Sequence, residues 1–224
     1  MLIKLLATIL IFTSLIKADS TSDLIKETRE KISQINISFY ENRLPDKLFV
    51  SELDKLFVEL KDKNIYADSV VDKKDYKLKS SQLIKSFKAF EKFYNNKPEV
   101  DTLKKVFHAV NNEFNSVFGK YFLDELKNFP KKKIIIFSTS MSCECTLEMC
   151  YRQECEVQKL LKENPDSFDY AVVDSYSNYD LQNEYEVGFI PAVILVDSTN
   201  KEIKRFVRVE KLYDKLVSIL NVKE

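Results

Sequence analysis

The hydrophobic rhythm of the chain changes once, at Phe129-Pro130-Lys131-Lys132-Lys133, and that change constrains the fold most. Before it, apolar residues recur at spacings of three and four, the mark of amphipathic helices. After it, they come in short unbroken runs, which suit strands covered on both faces of a sheet. Four stripes precede the change. They are Leu24, Ile25, Thr28, Ile32, Ile35 and Phe39; Leu48, Leu53, Leu56, Phe57 and Leu60; Leu83, Ile84, Phe87, Phe90 and Phe93; and Leu103, Val106, Phe107, Val110, Phe114, Val117 and Phe118. Breaks at Asn42–Pro45, Asn64–Asp75 and Asn95–Pro98 separate them, with Pro45 and Pro98 placed for helical first turns. Residues 19–129 are therefore expected to form an all-α helical region, a bundle or a cap.

Past the change the reading is β-α-β-α-β-β-α. Ile134–Phe137 is the first strand, and a helix runs from about Thr146 to Lys162. Phe168–Asp174 is the second strand and Asp180–Glu186 a short helix. Ala192–Asp197 and Glu202–Val207 are strands joined by the turn Ser198–Lys201, and Glu210–Leu220 closes the chain as a helix. Strands alternating with helices read as βαβ units. Residues 130–224 are expected to be an α/β domain.

Met1–Ala18 reads as a targeting segment. Lys4 is followed by an apolar run from Leu5 to about Ile16, then small Ala18 before Asp19. This is the layout of a secretory signal peptide. The run is short for a membrane span, which needs about 20 residues; an uncleaved anchor is the alternative. The mature protein is expected to be periplasmic or secreted, with no stable membrane span.

Charge excludes one class of function. Thirty-five basic and 35 acidic residues cancel, and no basic patch stands out, so nucleic acid is not an expected partner. His108 is the only histidine, without a second to join it as a ligand, and reads as a packed or surface residue. Asn36-Ile37-Ser38 is a glycosylation sequon, relevant where the host glycosylates.

Cysteine placement points to chemistry. A secreted chain meets oxidising conditions. A structural framework would spread its cysteines, whereas Cys143, Cys145, Cys150 and Cys155 are clustered. Loops that short gain little stability when closed. The cluster lies where a buried strand turns into a helix, and a helix N-terminus stabilises a thiolate. Ile190-Pro191 precedes an apolar strand, where a proline lacking an N–H can sit and where its bond can be cis.

From Lys131 onward the sequence resembles the thioredoxin-like family. The stretch Val187-Gly188-Phe189-Ile190-Pro191-Ala192-Val193-Ile194-Leu195-Val196-Asp197 carries the resemblance. It implies a cis Pro191 facing active-site cysteines, thiol–disulfide exchange with protein thiols and a redox partner protein, and no cofactor. The family's usual Trp-Cys-x-x-Cys is replaced by Met141-Ser142-Cys143-Glu144-Cys145, and Ile134–Phe137 lacks the acidic residue that many members bury there. Either Ser142 and Cys145 hold the two family positions, or Cys143 opens a loop one residue shorter.

A Cys-x-Cys pair can still close, since residues i and i+2 reach within the roughly 4.4–6.8 Å Cα separation of disulfides. The strained ring favours an oxidant or isomerase over a reductant. Cys143 would attack and Cys145 resolve, with Glu144 and Glu148 opposing thiolate formation. Cys150 shares a face with Leu147, Val157 and Leu161, and is either a core residue or an alternative resolving thiol. Cys155 diverges from Cys150 around the helix and is a free thiol or an intermolecular partner. Two rival readings stand beside the oxidoreductase. One is a soft thiolate metal site, for which the C-x-C-x₄-C-x₄-C spacing departs from paired C-x₂-C knuckles. The other is a non-catalytic thioredoxin-fold binding module.

Overall fold

The computed structural model describes residues 2–62, 73–96 and 99–220, without the side chains of 2–20, 62 and 73–77. The helical region contains α1 (Leu2–Tyr40), α2 (Lys47–Asp62), α3 (Lys73–Asn95) and α4 (Val100–Lys127). Much of the expected Asn64–Asp75 break, and Pro98, fall outside the described residues. The stripes face inward as expected, with two exceptions: Leu48 and Phe93 are exposed. Both lie in terminal turns, where the stripe outruns the core it packs on. Inside, Phe39, Phe87, Phe90 and Phe107 pack ring against ring, Phe90 meeting Phe39 and Phe107 edge to face, with Phe90 and Phe107 centroids 4.8 Å apart.

The α/β half follows with β1 (Lys132–Ser138), α5 (Glu144–Glu163), β2 (Phe168–Asp174), α6 (Tyr179–Glu184), β3 (Ala192–Val196), β4 (Glu202–Val207) and α7 (Leu212–Leu220). The strands form one sheet in the order β2-β1-β3-β4. β1 and β2 run parallel, joined through α5; β3 is antiparallel to both β1 and β4. β3 stops one residue short of expectation because the Asp197 carboxylate turns back to accept hydrogen bonds from the Thr199 and Lys201 N–H groups. α7 starts two residues late, after Lys211, whose φ of 54° is not helical.

The apolar strands are explained by cover on both faces. Ile134, Ile136, Val172, Val193 and Leu195 pack against Val157 and Leu160 of α5 and Leu212 and Leu216 of α7. Each such side chain contributes about 1.5–3 kcal/mol when fully buried. On the other face Ile135, Phe137, Ala171, Val173, Ile194 and Val196 share one continuous core with α1, α2, α3 and α4. The change of pattern at Phe129–Lys133 is thus a change of secondary structure that the core runs across.

Two contacts fix this packing. A Cβ on Gly119 of α4 would stand 2.4 Å from the Val172 carbonyl oxygen, so only glycine lets α4 come this close to β2. Tyr170 is two residues away on the same edge strand. Its carbonyl accepts a 2.8 Å hydrogen bond from Arg29 of α1, and its N–H donates to its neighbour Asp169. The Arg29 guanidinium also pairs with Asp169 and lies 4.3 Å from the Phe122 ring centroid. The helical region thereby closes an edge that would otherwise be open to pairing. Lys133, buried in β1, sends its ammonium to the Lys127 carbonyl at the end of α4 and to Ser198 and Asn200 in the β3–β4 turn.

Candidate redox site

The site lies at one end of the sheet. Ser138 closes β1 opposite Asp174 at the end of β2, and Phe137 is paired with Ala192 at the start of β3. The β1–α5 loop with the cysteines, the β2–α6 loop and the segment leading into Pro191 therefore emerge together. The Ile190-Pro191 bond is cis. The Pro191 carbonyl accepts a hydrogen bond from the Arg208 N–H, which fixes the proline against the end of β4.

Buried Asp174 organises the cysteine loop. Its carboxylate accepts hydrogen bonds from the Ser140 N–H at 2.8 Å and hydroxyl at 2.9 Å, and from the Ser177 hydroxyl at 2.7 Å. It thus ties the loop before the cysteines to the loop after β2. This acid was not singled out from sequence. The available signal was a carboxylate ending an otherwise apolar strand.

Cys143 is the N-cap of α5 and Cys145 sits in its first turn, so the helix starts two residues earlier than expected. Both thiols are exposed, and their sulfurs are 2.8 Å apart. The Cys143 sulfur also lies 3.2 Å from the Thr146 hydroxyl. The hydrogen bond with Cys145, followed by those with Thr146, lowers the Cys143 pKa to about 6. The expected opposition of Glu144 and Glu148 is offset in the structure. Lys105 of α4 reaches Glu144 at 3.0 Å, and Lys104 reaches Glu148 at 2.7 Å.

The other two cysteines have the opposite environment. Cys150 is 2% exposed and Cys155 is 0% exposed. Burial raises both thiol pKa values, Cys155's strongly. The Cys155 sulfur lies 3.8 Å from the Asn36 carbonyl, beneath α1. Of the two readings of Cys155, the structure has the free thiol; the intermolecular partner is corrected, because α1 covers the helix face on which Cys155 stands. Cys150 and Cys155 are both buried, whereas Cys143 and Cys145 are exposed. Cys150 takes the core position that its stripe suggested.

That covering also explains a run of polar residues within α5. Gln153, Glu154, Glu156 and Gln158 are all buried. Glu156 accepts from the Tyr213 N–H and so caps α7, while Gln153 donates to the Val209 carbonyl. Glu154 accepts from Asn111 at 2.9 Å, from Asn115 and from Gln158 at 2.9 Å. Burial nevertheless raises its pKa to about 7. Asn36 donates to Asn111 and is 0% exposed, so the sequon is closed to modification in the folded chain.

His108 packs on the Tyr151 ring, centroids 3.8 Å apart. Burial lowers its pKa to about 4, which leaves it neutral. With Cys150, Tyr151 and Glu154 it lines a cavity of about 300 Å³ between α4 and α5, beside the open turn. A larger cavity of about 720 Å³, between α1 and the start of β2, contains no cysteine. Among the described residues, no group of three or more His, Cys, Asp or Glu side chains is arranged to hold a metal. No helix among them is long and apolar enough to cross a membrane.

Around the open turn stand four large exposed apolar side chains: Met141 in the cysteine loop, Tyr176 and Tyr179 after β2, and Phe189 before the cis proline.

No family model matches the chain, and no curated protein matches it. Among solved structures, it aligns with the oxidised form of mitochondrial thioredoxin 3 from Saccharomyces cerevisiae at 18% identity and a TM-score of 0.36. That alignment covers 44% of this chain and 88% of that one. A designed protein aligns at 18% identity and a TM-score of 0.36, covering 46% of this chain and 88% of its own. With strands ordered β2-β1-β3-β4, a helix opening at the cysteines and a cis proline leading into β3, the α/β half of this protein is a thioredoxin-like fold.

Proposed function

We propose that the chain is a thiol–disulfide oxidoreductase working outside the cytoplasm, with Cys143 as attacking thiol, Cys145 as resolving thiol and Pro191 beside them. The observation that carries this reading is the exposed sulfur pair, 2.8 Å apart at a helix N-terminus, with Cys143 acidic enough to be thiolate at neutral pH. In this reading Met1–Ala18 is a signal peptide removed on export, and the substrates are protein thiols and disulfides. The exposed Met141, Tyr176, Tyr179 and Phe189 give such a polypeptide an apolar surface to rest on.

In the reducing direction, the Cys143 thiolate attacks one sulfur of the substrate disulfide. The substrate S–S bond breaks, a mixed disulfide forms and one substrate thiolate leaves to take a proton from water. The Cys145 sulfur, as thiolate, then attacks the Cys143 sulfur. The mixed disulfide breaks, Cys143 and Cys145 become disulfide-bonded and the second substrate thiolate leaves. Two electrons pass from the pair to the substrate, and the oxidising direction is the same path reversed.

The test is exchange with a model peptide disulfide. Cys143→Ser should lower the rate by about 100-fold or more, while Cys145→Ser should accumulate a mixed disulfide at Cys143. An unchanged rate in Cys143→Ser refutes the assignment. N-terminal sequencing of exported protein, expected to begin at Asp19, checks the signal segment.

A further inference from the structure

The helical region touches the redox site through α4. Lys104 and Lys105 are consecutive there, and each meets a different glutamate of α5. Glu144 stands between the two exposed cysteines, and Glu148 follows one turn later. Without the lysines, two carboxylates would face the first turn of α5. There their charge would offset the dipole's positive potential at the sulfur and disfavour a thiolate. Lys104 is held in place, since its ammonium also lies 5.1 Å from the Tyr151 ring centroid. Other titratable neighbours are Cys145, whose sulfur lies 2.8 Å from that of Cys143, Asp101, one turn before Lys105 on α4, and His108, neutral in its cavity. Asp174, on the sheet side, is engaged by Ser140 and Ser177.

We propose that Lys104 and Lys105 are electrostatic positioning residues of the redox site: by pairing Glu148 and Glu144, the helical region favours the thiolate of Cys143. This rests on the assignment of Cys143 as the attacking thiol. It gives the helical region a part in the chemistry besides covering the sheet. The lysines touch neither sulfur nor substrate and act through the glutamates alone.

The experiment measures the pH dependence of iodoacetamide labelling at Cys143 in the full chain, the adduct located by fragmentation mass spectrometry. The Lys104→Gln/Lys105→Gln variant should titrate at higher pH than the parent. Labelling near pH 6 should slow by roughly two- to five-fold, the range for exposed charges a few ångströms from a thiol. Adding Glu144→Gln and Glu148→Gln to that variant should restore the parent profile. High salt should pull the double-lysine variant back toward the parent, because screening weakens the unopposed carboxylates. All four side chains are at least partly exposed, so their replacement does not open the core. If the double-lysine variant titrates like the parent, or if removing the glutamates restores nothing, the proposal is overturned. The labelling profile reports acidity whether or not exchange occurs. A chain that fails the peptide-disulfide assay but shows the shift keeps this inference and loses the oxidoreductase assignment.

Discussion

The first turn of α5 and its middle carry the same residue type in opposite states. At the first turn Cys143 and Cys145 are exposed, and Cys143 is acidic because donors at a helix N-terminus reach its sulfur. Along the middle, Cys150 and Cys155 are buried, and desolvation holds their protons on. The helix is continuous, so what differs is its cover. α1 and α4 close over the middle and leave the first turn open. Thiol exposure here follows from where the helical region stops, as much as from the position of the cysteines in the sequence.

The largest way to break that contrast is to push the cover away. Gly119→Ala places a methyl against the Val172 carbonyl and should destabilise the fold by about 3 kcal/mol, measured by urea unfolding. Native alkylation, which should count two reactive thiols in the parent, should then begin to count Cys150 and Cys155. A parent that labels at all four sites under native conditions contradicts the burial.

A smaller effect concerns the buried carboxyl beneath the same cover. Glu154 has a folded-state pKa of about 7, above the ordinary value of 4.5, so the folded chain binds its proton more tightly. Its contribution is complete below pH 4.5 and is lost as pH rises through 7. Between those limits the parent should lose about 2–3 kcal/mol from this group. Glu154→Gln should remove that slope in unfolding measured from pH 4.5 to 8. His108 works in the other direction. Its depressed value of about 4 means stability is lost as pH falls from 6.5 toward 4.

The smallest effect sharpens the division of labour. Cys155→Ser should cost about 1 kcal/mol of stability, since a hydroxyl can still face the Asn36 carbonyl. Peptide-disulfide exchange should stay within about two-fold of the parent if the middle of α5 takes no part in the chemistry.

Much of this architecture is legible in the residues. β2 and β4 fall at Phe168–Asp174 and Glu202–Val207, where the apolar runs and turn residues place them. Local signals suffice for β2, because a strand covered on both faces has to be apolar throughout; β4, exposed along most of its length, is placed by the turn that precedes it. The open turn of α5 is legible for a similar reason, since a strand-to-helix junction is encoded by neighbours in sequence. The middle of α5 was harder. Gln153, Glu154, Glu156 and Gln158 look like a solvent face, and Cys155 among them reads as a free thiol or an intermolecular partner. Their partners Asn111, Asn115, Val209 and Tyr213 are distant in the chain, and nothing in a periodicity reveals them. The same holds for Lys104 and Lys105, which read as ordinary surface charges until α4 is set beside α5.

Lys133 carries a consequence of its own. One ammonium, anchored in the first strand, ties off the final carbonyl of a helix on one side and a hairpin turn on the other. Unfolding either half strands that charge and bares the shared apolar face, so the halves have little freedom to melt independently. Heating should therefore produce a single calorimetric transition, with the bundle and sheet behaving as one cooperative unit despite the abrupt change in sequence pattern between them.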